Sequence, residues 1–145
     1  MSWLVDTNIL SELRKGDRAN PGIRAWFGEA RDEDLFTSVL VLGEIRRGIE
    51  SIRRRDEPSA LALEQWLARV TSEFSGRTLA VDAAVADRWG VLNVPDPVPT
   101  VDGLLAATAL VHDLTLVTRN TRDVARTGVR ALDPTGFGDP VGGPP

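Results

Sequence analysis

The sequence predicts a single α/β domain built on a central, mostly parallel sheet of four to five strands with helices on both faces. Two observations carry this. Short apolar runs that read as strands alternate with segments of helical periodicity, the pattern of a parallel sheet joined by crossovers. The chain's 145 residues, 42% hydrophobic and 26% charged, suit one ordinary globular core.

The elements follow in order. Trp3-Leu4-Val5 reads as a short buried strand, and Asn8 to Arg14 as a helix ended by Gly16. Asn20-Pro21 is an N-cap followed by proline at the first helical position, starting a helix to about Ala30 with Ile23, Trp26 and Phe27 on its apolar face. Leu35 to Ser38 is the second strand, and Ser38 can cap a helix to about Arg53 whose Val41, Ile45, Ile49 and Ile52 recur at helical spacing. Pro58 opens another helix, with Leu61, Leu63, Trp66, Leu67 and Val70 inward. Arg77 to Val81 is the third strand, followed by a helix from Ala83 to about Leu92. The prolines of Val94 to Pro99 exclude regular helix and make a rigid loop. It delivers the chain to Asp102 and an almost wholly apolar helix, Gly103 to Val111. Thr115 to Thr118 is the fourth strand, a short helix follows Asn120, and Val129 to Leu132 is a short fifth strand.

Composition excludes several chemistries. With no cysteine, disulfides, thiolate catalysis and cysteine–zinc sites are out. The single histidine, His112, stands where an imidazole meets a helix C-terminus, and no Gly-x-Ser-x-Gly elbow supports a Ser-His-Asp triad. Asp6, Glu12, Arg14 and Lys15 interrupt the N-terminus before a signal-peptide core could form. No apolar run approaches the ~18 residues that span a bilayer, so the expectation is a cytoplasmic protein that does not engage a membrane. The net charge of −4 does not suggest nucleic acid, but Arg46, Arg47, Arg53, Arg54 and Arg55 crowd one stretch in a chain whose only lysine is Lys15. They suit phosphates, or they are a solvated helix face.

The acidic residues are the informative ones. Asp6 closes the first strand and Asp102 opens the apolar helix, about a hundred residues later. Glu44 lies inside an apolar helix, with Gly48 one turn on leaving open space over it. Asn120 and Asp123 follow the fourth strand. Each has a structural alternative. Asp6 can cap the helix behind it, and Asp102 can do the same with Thr100 competing. Glu44 can pair with Arg47, and Asn120 with Asp123 can form a capping box. Glu12 is expected to face solvent or pair with an arginine. Several carboxylates gathered where parallel strands end point instead to a site for hard cations.

Four runs carry a family resemblance: Leu4-Val5-Asp6-Thr7-Asn8-Ile9-Leu10-Ser11-Glu12-Leu13, Thr37 to Ile49 around Glu44, Val101-Asp102-Gly103-Leu104-Leu105-Ala106-Ala107-Thr108-Ala109, and Leu116-Val117-Thr118-Arg119-Asn120-Thr121-Arg122-Asp123. In this order they resemble PIN-domain proteins, above all the VapC-type toxins of bacterial toxin–antitoxin pairs. The resemblance implies a PIN-like three-layer α/β/α sandwich over residues 1–135, with a poorly ordered Gly/Pro-rich tail over 136–145. It implies a metal-dependent endoribonuclease using Mg²⁺, or Mn²⁺, and neutralised by a cognate VapB-type antitoxin protein. A homodimer is also implied, and Leu61, Leu63, Trp66 and Leu67 could pack across a twofold axis.

The family's acidic positions fall on Asp6, Glu44 and Asp102, while its last is either Asn120 or Asp123. Phosphodiester hydrolysis needs an activated water and compensation for charge on phosphate oxygens, which one or two ions in a carboxylate pocket supply. Asp6 and Asp102 would be direct ligands within reach of one common ion, Glu44 a ligand or general base, and Asp123 a ligand through water. Thr7, Asn8 and Thr118 would aim the carboxylates, and Arg119 would meet substrate phosphate or pair with a site carboxylate.

Rival folds fit less well. A haloacid-dehalogenase-like phosphatase wants an aspartate where Asn8 stands, and a response-regulator receiver wants a late lysine that is absent. A catalytically inactive PIN-like module that binds RNA or protein is the serious alternative, although a pure binder has no need of costly buried charges.

Overall fold

Strands β1 (Trp3–Val5), β2 (Leu35–Ser38), β3 (Thr78–Leu79), β4 (Thr115–Val117) and β5 (Ala131–Leu132) form one sheet in the order β3-β2-β1-β4-β5. Every pairing is parallel, so the sheet is parallel throughout rather than mostly so. The structure, a computed structural model, describes residues 1–138. Helices α1 (Thr7–Leu13), α2 (Pro21–Glu29), α3 (Val39–Arg53), α4 (Glu57–Glu73), α5 (Ala83–Leu92), α6 (Thr100–Val111) and α7 (Thr121–Val124) complete a three-layer α/β/α sandwich.

The strand order reverses at β1. The chain runs outward through β2 and β3, then returns to lay β4 and β5 on the other side of β1. That leaves a crevice beyond the carboxyl ends of β1 and β4, the place where open parallel sheets hold ligands. Both strands are two-sided core: Leu4, Val5, Leu116 and Val117 are all buried.

Helix starts follow local chemistry. Asp6, Ser38, Asn20, Asp56 and Asp82 each cap a helix by accepting a backbone N–H from the first turn. The buried stripe of α3 is Val41, Ile45 and Ile49, while α6 is buried nearly all round through Gly103, Leu105, Ala106, Ala107, Thr108 and Ala109. Helix α6 ends at His112, as the sequence suggests, and Asp113 takes the left-handed turn (φ 54°) that lets Leu114 donate to the Ala109 carbonyl.

Several expectations need correction. Strands β3 and β5 are only two residues long, although the Arg77 and Arg130 carbonyls still accept from Thr37 and Leu116 of the neighbouring strands. Helix α4 begins at Glu57 under the Asp56 cap, one residue before Pro58. Leu61 does not point inward: it is 47% exposed, whereas Ala60, Leu67 and Val70 form the buried stripe of α4. Leu67 is therefore not free for a twofold contact. An unanticipated 3-10 turn, Pro134–Gly136, packs on α2. The rest of the Gly/Pro-rich tail, residues 139–145, lies outside the described residues.

The close approach of that turn to α2 depends on Gly22. A Cβ there would stand 2.1 Å from the Thr135 carbonyl oxygen and 2.5 Å from that of Pro134, backbone atoms that cannot swing aside. Gly22→Ala should therefore destabilise the domain by about 2–3 kcal/mol, read as a lower urea midpoint. An unchanged midpoint would mean the C-terminal turn contributes nothing to the fold.

Candidate active site

Asp6 stands at the carboxyl end of β1, where its N–H donates to the Val117 carbonyl and ties it into the sheet. Its side chain is 4% exposed. One carboxylate oxygen accepts the Thr7 N–H at 2.6 Å, the N-cap bond. The other accepts the Thr118 hydroxyl at 2.8 Å, and the Asn8 amide lies 3.5 Å from it. Capping and site geometry thus coexist in one residue.

Thr118, buried just past β4, links the pieces. Its hydroxyl donates to Asp6 and accepts from the Asn8 amide at 3.3 Å and from the Asn120 N–H at 3.0 Å. Glu44, half-buried on α3, accepts the Thr7 hydroxyl at 2.8 Å. The alternative pairing with Arg47 is not formed among the described residues. Open space lies over Gly48, as the sequence suggests, and a groove of about 290 Å³ runs beside Glu44 between α1, α3 and α4, lined by Thr7, Arg14, Gly48, Leu63 and Trp66.

Asp102 lies in the first turn of α6, which starts at Thr100, so neither it nor Thr100 caps the helix. Asp123 is exposed on α7. The capping box is absent: Asn120 makes no side-chain bond to α7, and its amide acts on Asp102 instead.

The electrostatics show that these acids sense one another. Burial pushes the Asp6 carboxyl up; the Thr118 and Thr7 hydrogen bonds oppose it, and the charges on Glu44 and Asp102 raise it further. Asp102 is raised by burial, then by Asp123, with the Asn120 side chain pulling down and Glu44 pushing up. Among the described residues no basic side chain forms a salt bridge with Asp6, Glu44, Asp102 or Asp123.

An all-oxygen donor set carrying uncompensated negative charge fits a hard divalent cation. Among the described residues, however, no three acidic, histidine or cysteine side chains are spaced to hold one ion between them. The arrangement therefore fits an ion bound by one or two carboxylates with water completing its shell, the habit of magnesium.

Two charged features have partners that the sequence did not specify. Arg46 and Arg53 of the arginine run are engaged with Glu50, Glu57 and Glu64, tying α3 to α4. Arg47, Arg54 and Arg55 are exposed and make no salt bridge among the described residues. Glu12 pairs with an arginine, one of its two expected roles, through Arg119 at 3.5 Å, but it is also buried and holds Lys15 at 2.9 Å. Its spacing of four from Asn8, which puts both on one helical face, was the available signal.

The PIN domain family matches residues 3–129. Toxin FitB of Neisseria gonorrhoeae is 29% identical over 138 residues, covering 90% of this chain and 96% of its own. The crystal structure of FitAcB from the same organism superposes with a TM-score of 0.83 at 28% identity, covering 91% of this chain and 97% of that one. The VapC ribonuclease Y4jK of Sinorhizobium fredii is 27% identical, covering 90% of this chain and 96% of its own. A toxin–antitoxin complex from Klebsiella pneumoniae matches with a TM-score of 0.64 at 26% identity, covering 92% and 98%.

The raised carboxyls carry a sign. A native acid above its ordinary value of 3.8 binds protons that the unfolded chain releases, so stability falls as pH rises from about 3.8 through the native value. Asp6→Asn should raise the melting temperature at pH 7 in EDTA, with the gain shrinking toward pH 4. A gain independent of pH would show that Asp6 burial, not its charge, sets the penalty.

Proposed function

The chain belongs to the PIN-domain family, and on that premise we propose that it is a metal-dependent endoribonuclease acting as the toxin of a toxin–antitoxin pair. One observation supports the reading above all. Asp6 and Asp102, pushed up by burial and by the charges of neighbouring acids, stand with Glu44 and Asp123 near the strand-order reversal, and none of the four has a basic counter-ion among the described residues. A protein does not keep such a group for stability, because uncompensated like charges only destabilise it.

Asp6 and Asp102 would hold the cation, with Glu44 and Asp123 reaching it through water. Bound there, Mg²⁺, or Mn²⁺ in its place, supplies water activation at neutral pH and compensation for charge growing on the phosphate oxygens. The chain's own residues do the rest. Thr7 fixes the Glu44 carboxylate by its hydroxyl, leaving the second oxygen to accept a proton from the attacking water. Thr118 and Asn8 fix Asp6, and the Asn120 amide bears on Asp102, completing the acidic ring beside Asp123.

RNA is the substrate class and a VapB-type antitoxin the inhibitor, as the relatives named ribonuclease, toxin and toxin–antitoxin complex suggest. No helix among the described residues is long and apolar enough to cross a membrane, and the site of action proposed is the cytoplasm. Self-association as a homodimer belongs to the same reading. Val91 and Val94, 65% and 76% exposed, offer it more apolar surface than the α4 residues do.

Cleavage of a mixed single-stranded RNA should require Mg²⁺ or Mn²⁺ and stop in EDTA. Asp6→Ala and Asp102→Asn should abolish it. Glu44→Gln should lower kcat about 10²-fold, and Thr7→Val about tenfold by loosening Glu44. RNA cutting that survives Asp6→Ala would assign the activity to a contaminant or to another site.

A further inference from the structure

Glu12 is a buried carboxylate that the proposed chemistry does not use. Both its oxygens are already satisfied: Oε1 by the Lys15 ammonium at 2.9 Å, Oε2 by the Asn20 N–H at 2.9 Å. Those two bonds, Lys15 first, hold its carboxyl below the ordinary value, so it stays ionised. Arg119 is a third partner, with Nη1 at 3.5 Å from Oε1, too far for a good hydrogen bond.

Arg119 is nonetheless placed with care. It follows Thr118, whose hydroxyl holds Asp6, and its own N–H donates to the Asn8 side chain at 3.2 Å. The backbone is thus fixed beside the acidic ring while the side chain, 40% exposed, is drawn along α1 to Glu12. Among the described residues its guanidinium makes no hydrogen bond, so its fork of donors is available to an incoming ligand. Four acids without a counter-ion stand nearby, and a free guanidinium would be attracted onto them.

From this geometry we propose that Arg119 grips a phosphate of the RNA strand at the rim of the pocket, and that Glu12 is its positioning residue. Glu12 holds the guanidinium loosely off the acidic ring, so the ring stays open to its cation and the arginine stays open to phosphate. The assignment rests on the nuclease reading for its substrate class. A planar guanidinium matches two phosphate oxygens at once. Glu12 acts only through Arg119, so its loss and that of Arg119 should not add.

The test is a double-mutant cycle read by binding. Fluorescence anisotropy of a labelled single-stranded RNA of about 12 nucleotides is measured against salt in an Asp102→Asn background, which blocks cutting. Arg119→Ala and Glu12→Gln should each raise Kd roughly five- to tenfold, and the double variant should match Arg119→Ala alone. The slope of log affinity against log salt should flatten by about 0.7 in each. Arg119→Lys, a cation without the fork, should restore the slope but only part of the affinity.

Unchanged affinity in Arg119→Ala, or a Glu12→Gln effect that adds in full to it, overturns the assignment. If Glu12→Gln melts below the assay temperature, Glu12→Asp, one methylene shorter, runs the same cycle. RNA binding with these effects but no cutting by the parent chain removes the nuclease reading and leaves the phosphate grip. Cutting with an additive cycle does the reverse, and a parent chain that neither binds nor cuts removes both.

Discussion

The hydroxyl of Thr118 is the atom on which the site's geometry hangs. It has one proton to give and gives it to Asp6, and it accepts from both the Asn8 amide and the Asn120 N–H. Through that single oxygen the end of β1, the start of α1 and the turn after β4 take one arrangement. These are the two strands between which the sheet reverses its order, so the constraint lies where the two halves of the fold join. Removing it would leave a buried carboxylate held by the Thr7 N–H and, at 3.5 Å, the Asn8 amide, in a place where desolvation already works against its charge.

A second economy concerns the arginines. The run from Arg46 to Arg55 looks uniform in sequence, but the helix period divides it. Arg46 and Arg53 face α4 and meet Glu50, Glu57 and Glu64, a network that fixes one helix against the other. Arg47, Arg54 and Arg55 fall on the outer side, where they remain for an anionic partner. Such exposed networks contribute little each to stability. They set how α3, which carries Glu44, lies against α4.

The fold was legible because it rests on local patterns. Apolar runs bounded by Asp6, Ser38 and Thr118 mark the central strands, and a helix apolar on every side announces burial, as α6 shows. What was illegible depends on partners far away in the chain. Asn120 and Asp123 have capping-box spacing, yet the Asn120 side chain makes no cap bond to α7 and instead pulls the Asp102 carboxyl down. Glu44 prefers a threonine 37 residues away to the arginine three residues on. Leu61 and Leu67 differ only in which side of α4 they occupy, which a stripe with surplus apolar residues does not determine. Strands of two residues, such as β3, carry too little pattern to bound.

The remaining question is how the fold tolerates Asp102 among like charges. Its place in the first turn of α6 is part of the answer, since unpaired N–H groups there favour a negative charge. The small residues of α6 supply the rest. Ala106, Ala107 and Ala109 are fully buried, and Gly103 lets the Trp89 ring approach so closely that a Cβ would stand 3.3 Å from its Cδ1 and Nε1. The indole N–H of Trp89 is left buried without a partner among the described residues as a result. A bulkier α6 would relieve that crowding by moving away from α5, and its first turn would carry Asp102 with it. Close packing therefore fixes the position of a charge that electrostatic repulsion, acting alone, would push toward solvent.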